Sequence, residues 1–349
     1  MGGLQYFPAA SRPERPVVSV CIANYNGVGV LEDCLASVLS QDIDVPIEII
    51  VHDDASSDGS VDWIQSRYPG VELLASESNV GFCIANNRMV AHARGEFVLL
   101  LNNDAALFRD AISVLLADAG GLSTAGVLSL PQFDWETGDL VDRGCLLDPF
   151  YNPVPNLDPG RADVAMVIGA CLFLPRARWQ VLGGFPETFG SLAEDVFLCC
   201  AARLHGIPVR VASRSGYLHR QGASFGGNRV DGGKLRSTYR RRALSERNKT
   251  AVLCICTPGI VVLPLLLLHV ALLLGEGLVL ALLKRDLRAW REIYANAVLQ
   301  TVRQRGFLRA ERQRVQRGRV ITLRDYFRPF VLLPRKLVML VRHGVPSLR

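Results

Sequence analysis

The sequence predicts an α/β fold with a mostly parallel central sheet covered by helices on both faces, followed by an α-helical, membrane-associated C-terminal region. Three observations carry this. Over the first hundred residues, short β-branched runs alternate with segments whose apolar residues recur at helical spacing. Polar clusters follow three of the predicted strands directly, at the carboxyl ends where such sheets bind ligands. Charge is also divided along the chain: residues 1–233 carry a net −12, residues 234–249 carry +6, residues 250–283 hold only Glu276, and residues 284–349 carry +13.

Residues 17–23 (VVSVCIA) read as a buried strand, and Leu31, Cys34, Leu35, Val38 and Leu39 then fall on one helix face. A second strand is predicted at 47–51, a helix from about Ser60, a third strand at 71–75, a helix over 81–93 and a fourth strand at 97–101. The clusters are Asn24-Tyr25-Asn26, Asp53-Asp54 and Asn102-Asn103-Asp104. Residues 131–165, rich in Pro, Asp and Gly, read as an irregular excursion serving as a lid or acceptor loop. Order resumes at 167–174 and 194–204.

Residues 251–283 hold one charge, and residues 250–275 hold no Asp, Glu, Lys or Arg at all. That exceeds the ~20 residues needed to cross a bilayer but falls short of two complete spans. Basic residues flank both ends: Arg240, Arg241, Arg242 and Lys249 before, Lys284 and Arg285 after. Both flanks are therefore inside-type. With break points at Pro258-Gly259 and Pro264, a shallow hairpin or in-plane helices are favoured over a single span. Beyond it, Leu287, Trp290, Tyr294, Val298 and Val302 form a stripe among arginines, the pattern of an interfacial helix on anionic lipid. Those aromatics and 17 Arg/Lys also raise a nucleic-acid reading, but the neighbouring apolar run favours lipid and no nucleic-acid partner is expected.

A chain that is 49% apolar and 21% charged can bury a core, which excludes a disordered chain and a small disulfide scaffold. The first sixteen residues lack the apolar core of a signal peptide, so the cytoplasmic face of the membrane is the expected location. Nine cysteines without framework spacing read as structural thiols. The run 54–59 imitates half a calcium loop, but its twelfth position is Gln65 rather than Glu. Asn24 to Gly29 does not make a dinucleotide fingerprint.

What remains is chemistry at strand ends. Asp53 can accept from a nucleobase N–H or a ribose hydroxyl, whereas Ser56 to Ser60 are explained as turn and cap residues. Asp104, emerging from a buried strand, can hold a hard divalent cation on a diphosphate. Glu194 and Asp195 open a helix, a position where acids often only complement the dipole.

Taken in order, VSVCIANYNG, VHDDASSDGS, NVGFCIANNR, LLLNNDAAL, GACLFLPRARWQVLGGF and the Glu194-Asp195 pair resemble the family 2 glycosyltransferases with a GT-A fold, especially the bacterial rhamnosyltransferase-like branch that builds surface polysaccharides. The resemblance covers residues 17–249. It implies an inverting, metal-dependent sugar transferase using dTDP-rhamnose or a UDP-sugar, with a saccharide or polyprenyl-linked saccharide as acceptor. Ala23, Tyr25, Asp53, Arg88 and Asn103 would bind the nucleotide. Asp104, at the D-x-D position where Asn102 replaces the first Asp, would bind Mg2+ or Mn2+ with His219. Asp195 would be the general base, and Gly184, Phe185 and Glu194 would meet the acceptor. The chain departs from the family pattern at Phe197, where a second acid is common, and at Pro186, where Asp is usual.

The implied layout is a disordered arm (1–15), a GT-A domain (16–249) whose nucleotide half ends at 104 and whose acceptor half follows, and a membrane-associated region (250–349). A non-catalytic, membrane-bound nucleotide-sugar or glycan-binding module is the alternative kept open by Asn102 and Phe197. A nucleotidyltransferase would want a basic Gly-rich loop that residues 21–30 lack.

Overall fold

The computed structural model describes residues 3–120, 125–222, 227–231, 234–344 and 347–348. It divides into two compact units. The first is Met1–Gly144, Pro155–Ser191 and Ile207–Gln221, and the second is Cys145–Val154, Leu192–Gly206 and Gly222–Arg349.

The first unit is built on the alternation legible in the sequence. Its elements run β1 (Leu4–Phe7), β2 (Val18–Asn24), α1 (Val28–Leu39), β3 (Ile47–Asp53), α2 (Ser60–Arg67), β4 (Glu72–Ser76), α3 (Phe82–His92) and β5 (Phe97–Asn102). There follow β6 (Ala105–Leu107), α4 (Ala111–Ala119), β7 (Val127–Ser129), β8 (Gln132–Asp134), β9 (Leu140–Asp142), β10 (Cys171–Pro175), α5 (Arg176–Leu182), β11 (Val209–Val211) and β12 (Tyr217–His219). Eight strands form one sheet in the order β1-β4-β3-β2-β5-β10-β7-β11. Strands β4, β3, β2 and β5 are parallel neighbours, whereas β10 runs antiparallel between β5 and β7. The helix face read from Leu31, Cys34, Leu35 and Val38 is the buried face of α1, packed with Val18, Val20 and Ile22. A four-stranded sheet, β6-β12-β8-β9, stands beside the first.

Two expectations are corrected here. In the arm expected to be disordered (1–15), the described residues from Gly3 onward are ordered: β1 pairs antiparallel with β4, and Arg12 bonds the buried carboxylate of Glu48 while pairing with Glu72. A charge pair with buried partners ties down a segment that composition alone marks as free. The stretch 131–165 is not structureless either, since it holds β8, β9 and the short strands Cys145–Leu147 and Pro153–Pro155.

The second unit is helical: α6 (Glu194–Leu204), α7 (Tyr239–Cys256), α8 (Val262–Lys284), a π-helical turn (Trp290–Ala295), α9 (Asn296–Arg303), α10 (Arg305–Arg317), α11 (Leu323–Phe327) and α12 (Arg335–His343). Segments expected in the GT-A domain, 145–154, 192–206 and 222–249, group with these C-terminal helices, α6 packing on α7.

The apolar run has two fates. Ala251, Val252, Leu253, Ile255 and Cys256 end α7 inside the protein core. Thr257-Pro258-Gly259 then makes the elbow expected from Pro-Gly, and α8 continues unbroken past Pro264, which sits in its first turn where no N–H is needed. The elbow's carbonyls are not left bare. The Arg312 guanidinium donates to the carbonyls of Cys254 (2.9 Å), Ile255 (3.3 Å), Thr257 (2.7 Å) and Gly259 (2.9 Å), satisfying a helix C-terminus with a cation. One face of α8 is packed: His269, Leu273, Gly277, Leu280 and Ala281 are buried. The other exposes Leu263, Leu267, Leu268, Leu272, Val279 and Leu282.

The stripe assigned to lipid between Leu287 and Val302 is also revised. Tyr294 is fully buried against Gly277, its hydroxyl donating to Glu276 at 3.1 Å, while Leu287 and Val302 stay exposed. The π-helical turn rotates the register within the stripe, so one helical period does not describe it.

Candidate active site

In the first unit, β2 lies between β3 and β5 with Ala23 level with His52 on one side and Asn102 on the other. All three polar clusters therefore emerge at one edge of the sheet. Asn24 is level with Asp53 and joins the clusters: its amide nitrogen donates to Asp53 Oδ2 at 2.9 Å, and its oxygen accepts from Asn103 Nδ2 at 2.8 Å. Gly27 permits this approach. A Cβ there would stand 2.1 Å from Asn103 Nδ2 and 2.4 Å from Asn24 Oδ1.

Asp53 is buried, and its second oxygen accepts from the Ser56 amide at 2.9 Å. The turn-capping role given to Ser56–Ser60 thus extends to Asp53. An ionised carboxylate offers about four acceptor positions, and these two bonds use two of them. Asp54, which sequence reasoning left without a role, accepts from the amides of Val80 (2.6 Å) and Gly81 (2.8 Å), and so ties the end of β3 to the start of α3. Gly81 has φ +91°, a conformation suited to glycine. Asp58 accepts from the Val28 amide at 2.9 Å, binding the loop after β3 to the first turn of α1. Burial would raise its carboxyl, but hydrogen bonds from Ser60 and the Val28 amide hold it below the usual range.

Tyr25 is exposed on the loop after β2, and Ala23 is half-buried. Arg88 donates to Ser76 Oγ at 2.7 Å and lies 3.5 Å from His52 Nε2, on the neighbour of Asp53. Burial pushes His52 down to about 4, Asp54 opposing and Arg88 adding to the shift.

Asp104, also buried, has Oδ1 3.1 Å from His219 Nε2. His219 Nδ1 is 3.3 Å from Gln132 Oε1, which also accepts from the Tyr217 hydroxyl at 2.7 Å. With Nδ1 donating, Nε2 and the carboxylate oxygen face each other as two acceptors unless a proton or a cation stands between them. Asn102 Oδ1 is buried with no hydrogen-bond partner among the described residues, and its Nδ2 lies 3.5 Å from His219 Nε2. A carboxylate, an imidazole and an amide oxygen together suit Mg2+ or Mn2+. Among the described residues no group of three or more His, Cys, Asp or Glu is placed to hold a metal ion; Asp104 and His219 stand as a pair with the Asn102 amide beside them.

Gly184 and Phe185, expected at the acceptor, are packing residues. Phe185 is buried against Trp179 (ring centroids 4.8 Å) and exchanges two hydrogen bonds with the Asn87 amide, 3.0 and 2.9 Å. Gly184 has φ +68°, and a Cβ there would stand 2.7 Å from Asn87 Oδ1. Glycine spacing alone cannot distinguish a glycine that meets ligand from one that meets its own fold.

Glu194 and Asp195 belong to the second unit, at the start of α6. Two consecutive non-glycine residues, Leu192 (φ 72°) and Ala193 (φ 65°), lead into the helix in the left-handed conformation. Such residues cost roughly 1–3 kcal/mol each and persist where the surroundings over-determine them. Asp195 is half-buried, with Oδ1 accepting from the Val196 amide at 2.7 Å. Burial, then the neighbouring Asp195, push the Glu194 carboxyl well above the usual range, opposed by Arg241. Phe197 is core.

The family model for Glycosyl transferase family 2 matches residues 19–140. The N-acetylglucosaminyl-diphospho-decaprenol L-rhamnosyltransferase of Mycobacterium tuberculosis is 30% identical over 213 residues, 52% of this chain and 68% of the relative. A chondroitin synthase of Pasteurella multocida is 31% identical over 188 residues, which cover 52% of this chain but 18% of that longer protein. Among solved structures, S. aureus TarS in complex with UDP-GlcNAc aligns over 86% of this chain and 88% of that one, at TM-score 0.53 and 16% identity. The mannosyltransferase PcManGT from Pyrobaculum calidifontis, in complex with GDP-Man and Mn2+, aligns over 84% and 88% at TM-score 0.50 and 20% identity. The structural likenesses show the fold, and the sequence relatives show the family. With a GT-A arrangement of strands and the family's motifs at their ends, the chain belongs to the family 2 glycosyltransferases.

Proposed function

We propose that the protein is an inverting hexosyltransferase that moves a sugar from dTDP-rhamnose or a UDP-sugar to a saccharide or polyprenyl-linked saccharide in cell-surface polysaccharide synthesis. The observation that carries this is the hydrogen-bonded chain Asp53–Asn24–Asn103, with the Asp104–His219 pair following it in the same turn. In this reading Asp53 accepts from the base, supported by Ala23 near the end of β2, Tyr25 on the loop that follows it and Arg88. Asp104 and His219, with the Asn102 oxygen, would hold a divalent cation, which when bound would supply positive charge to the leaving diphosphate. Asp195 takes the proton of the acceptor hydroxyl as it attacks the anomeric carbon from the face opposite the leaving group, which inverts the centre. The acceptor class is supported by the relative that acts on a decaprenyl-linked sugar.

The test is release of nucleoside diphosphate from dTDP-rhamnose and from UDP-N-acetylglucosamine with Mg2+ or Mn2+. A short-chain polyprenyl-diphospho-N-acetylglucosamine serves as acceptor, and the product anomer is read by NMR. Asp195→Asn is expected to bind dTDP normally and to lose about 10²–10⁴-fold in turnover. Nucleotide binding without turnover of any donor by the unaltered chain would favour the non-catalytic binding module.

The same reading places the protein on anionic lipid at the cytoplasmic face, with α8 lying in the plane of the membrane. Its exposed leucines form one face, while the opposite face is pinned to protein by polar contacts. Glu276 bonds Arg242 (2.6 Å) and Lys336 (2.7 Å), and His269 bonds Thr250 (2.9 Å). A helix crossing the bilayer would have to carry those charges with it.

A further inference from the structure

Helix α7 meets the start of α6 at two points seven residues apart, on one face of α7. Asn248, buried, donates from Nδ2 to the carbonyl of Leu192 at 2.7 Å. Its oxygen accepts from Arg247 Nε at 2.8 Å, which fixes the amide so that nitrogen faces Leu192. Seven residues earlier, Arg241 lies within electrostatic range of Glu194. Leu192 is the first of the two left-handed residues that precede the helix, so the bond falls on a stretch of backbone whose conformation its own side chains disfavour. Phe197 N–H closes the first helical turn on the Ala193 carbonyl at 3.0 Å, which passes the orientation of that turn directly to Asp195.

We infer that Asn248 is a positioning residue for the general base: its amide holds Leu192–Ala193 in the left-handed turn that orients Asp195. The inference rests on the reading of Asp195 as the base. Asn248 touches no reacting atom in this account, so its loss acts on the chemical step and leaves the nucleotide site of the first unit alone.

The experiment uses the full chain with Asn248→Ala, the near-isosteric Asn248→Asp, whose ionised carboxylate cannot donate to a carbonyl, and Ala193→Gly added to Asn248→Ala. Turnover is followed with dTDP-rhamnose and UDP-N-acetylglucosamine in parallel, dTDP and UDP affinity by calorimetry, and backbone order by hydrogen exchange of the 192–199 peptide. Both single variants are expected to lose about 10–100-fold in kcat, with donor KM and nucleotide affinity within twofold. Exchange should quicken at 192–199 and stay unchanged across 243–253. Glycine occupies the left-handed region without steric cost, so Ala193→Gly should return at least threefold of the lost kcat. Normal kcat in both single variants overturns the inference. So does a KM rise at constant kcat, or a loss that follows loosening of all of α7 and a lowered Tm. If Asp195→Asn keeps its turnover, the base reading falls by itself, and exchange at 192–199 still decides whether Asn248 holds the turn.

Discussion

Asn24 on β2 and Asp53 on β3 are register partners whose side chains also bond, at 2.9 Å, and Asn24 passes the connection on to Asn103 at 2.8 Å. The pairing that builds the sheet thus also sets the spacing of the polar residues at its edge. Gly27 is the steric condition for this. Gly27→Ala is expected to push Asn103 away, weaken dTDP and UDP binding about tenfold, and destabilise the fold by about 1–3 kcal/mol. Calorimetric titration and thermal melting check both values. Unchanged nucleotide affinity would detach the Asn24 chain from the nucleotide.

The orphaned oxygen of Asn102 gives a prediction of opposite sign from most substitutions. Asn102→Asp adds a second carboxylate beside Asp104 and should lower the Mn2+ concentration for half-maximal thermal stabilisation by about tenfold, as charge count tunes affinity at hard-cation sites. His219→Ala should raise it by a similar factor. Neither change altering the Mn2+ response would remove the cation from this end of β5.

His52 makes the fold acid-sensitive. It stays neutral in the folded protein down to about 4, whereas the unfolded chain takes up the proton near ~6.5. Between those values the unfolded state binds more protons, so stability falls as pH drops from ~6.5 to about 4, by up to about 3 kcal/mol. Urea melts across that range should show a shallower decline in His52→Gln.

The exposed face of α8 is expected to set lipid binding. Leu267→Asp with Leu282→Asp should reduce flotation on phosphatidylglycerol vesicles at least tenfold. Melting should move little, because both side chains are exposed in the folded chain.

Much of the first unit was legible because its signals are local. Alternating runs of β-branched and helix-spaced residues gave β2 through β5 to within a residue or two at most ends, and the clusters at strand ends gave Asp53 and Asp104. The contributions that were missed depend on partners distant in the chain. Asp54 is explained by the amides of Val80 and Gly81, Phe185 by Asn87 across 98 residues, and the N-terminal arm by Glu48 and Glu72. The tail misled for another reason: its stripe was drawn on a 3.6-residue period that the π-helical turn interrupts at Trp290–Ala295.

Arg312 gives the elbow at residues 257–259 a history as well as a shape. The guanidinium that gathers its carbonyls is translated 53 residues after Gly259. Until Arg312 has been made, the carbonyls that end α7 have no guanidinium to share, so the bend closes only after α10 has been synthesised, and a residue outside the apolar stretch fixes how that stretch turns.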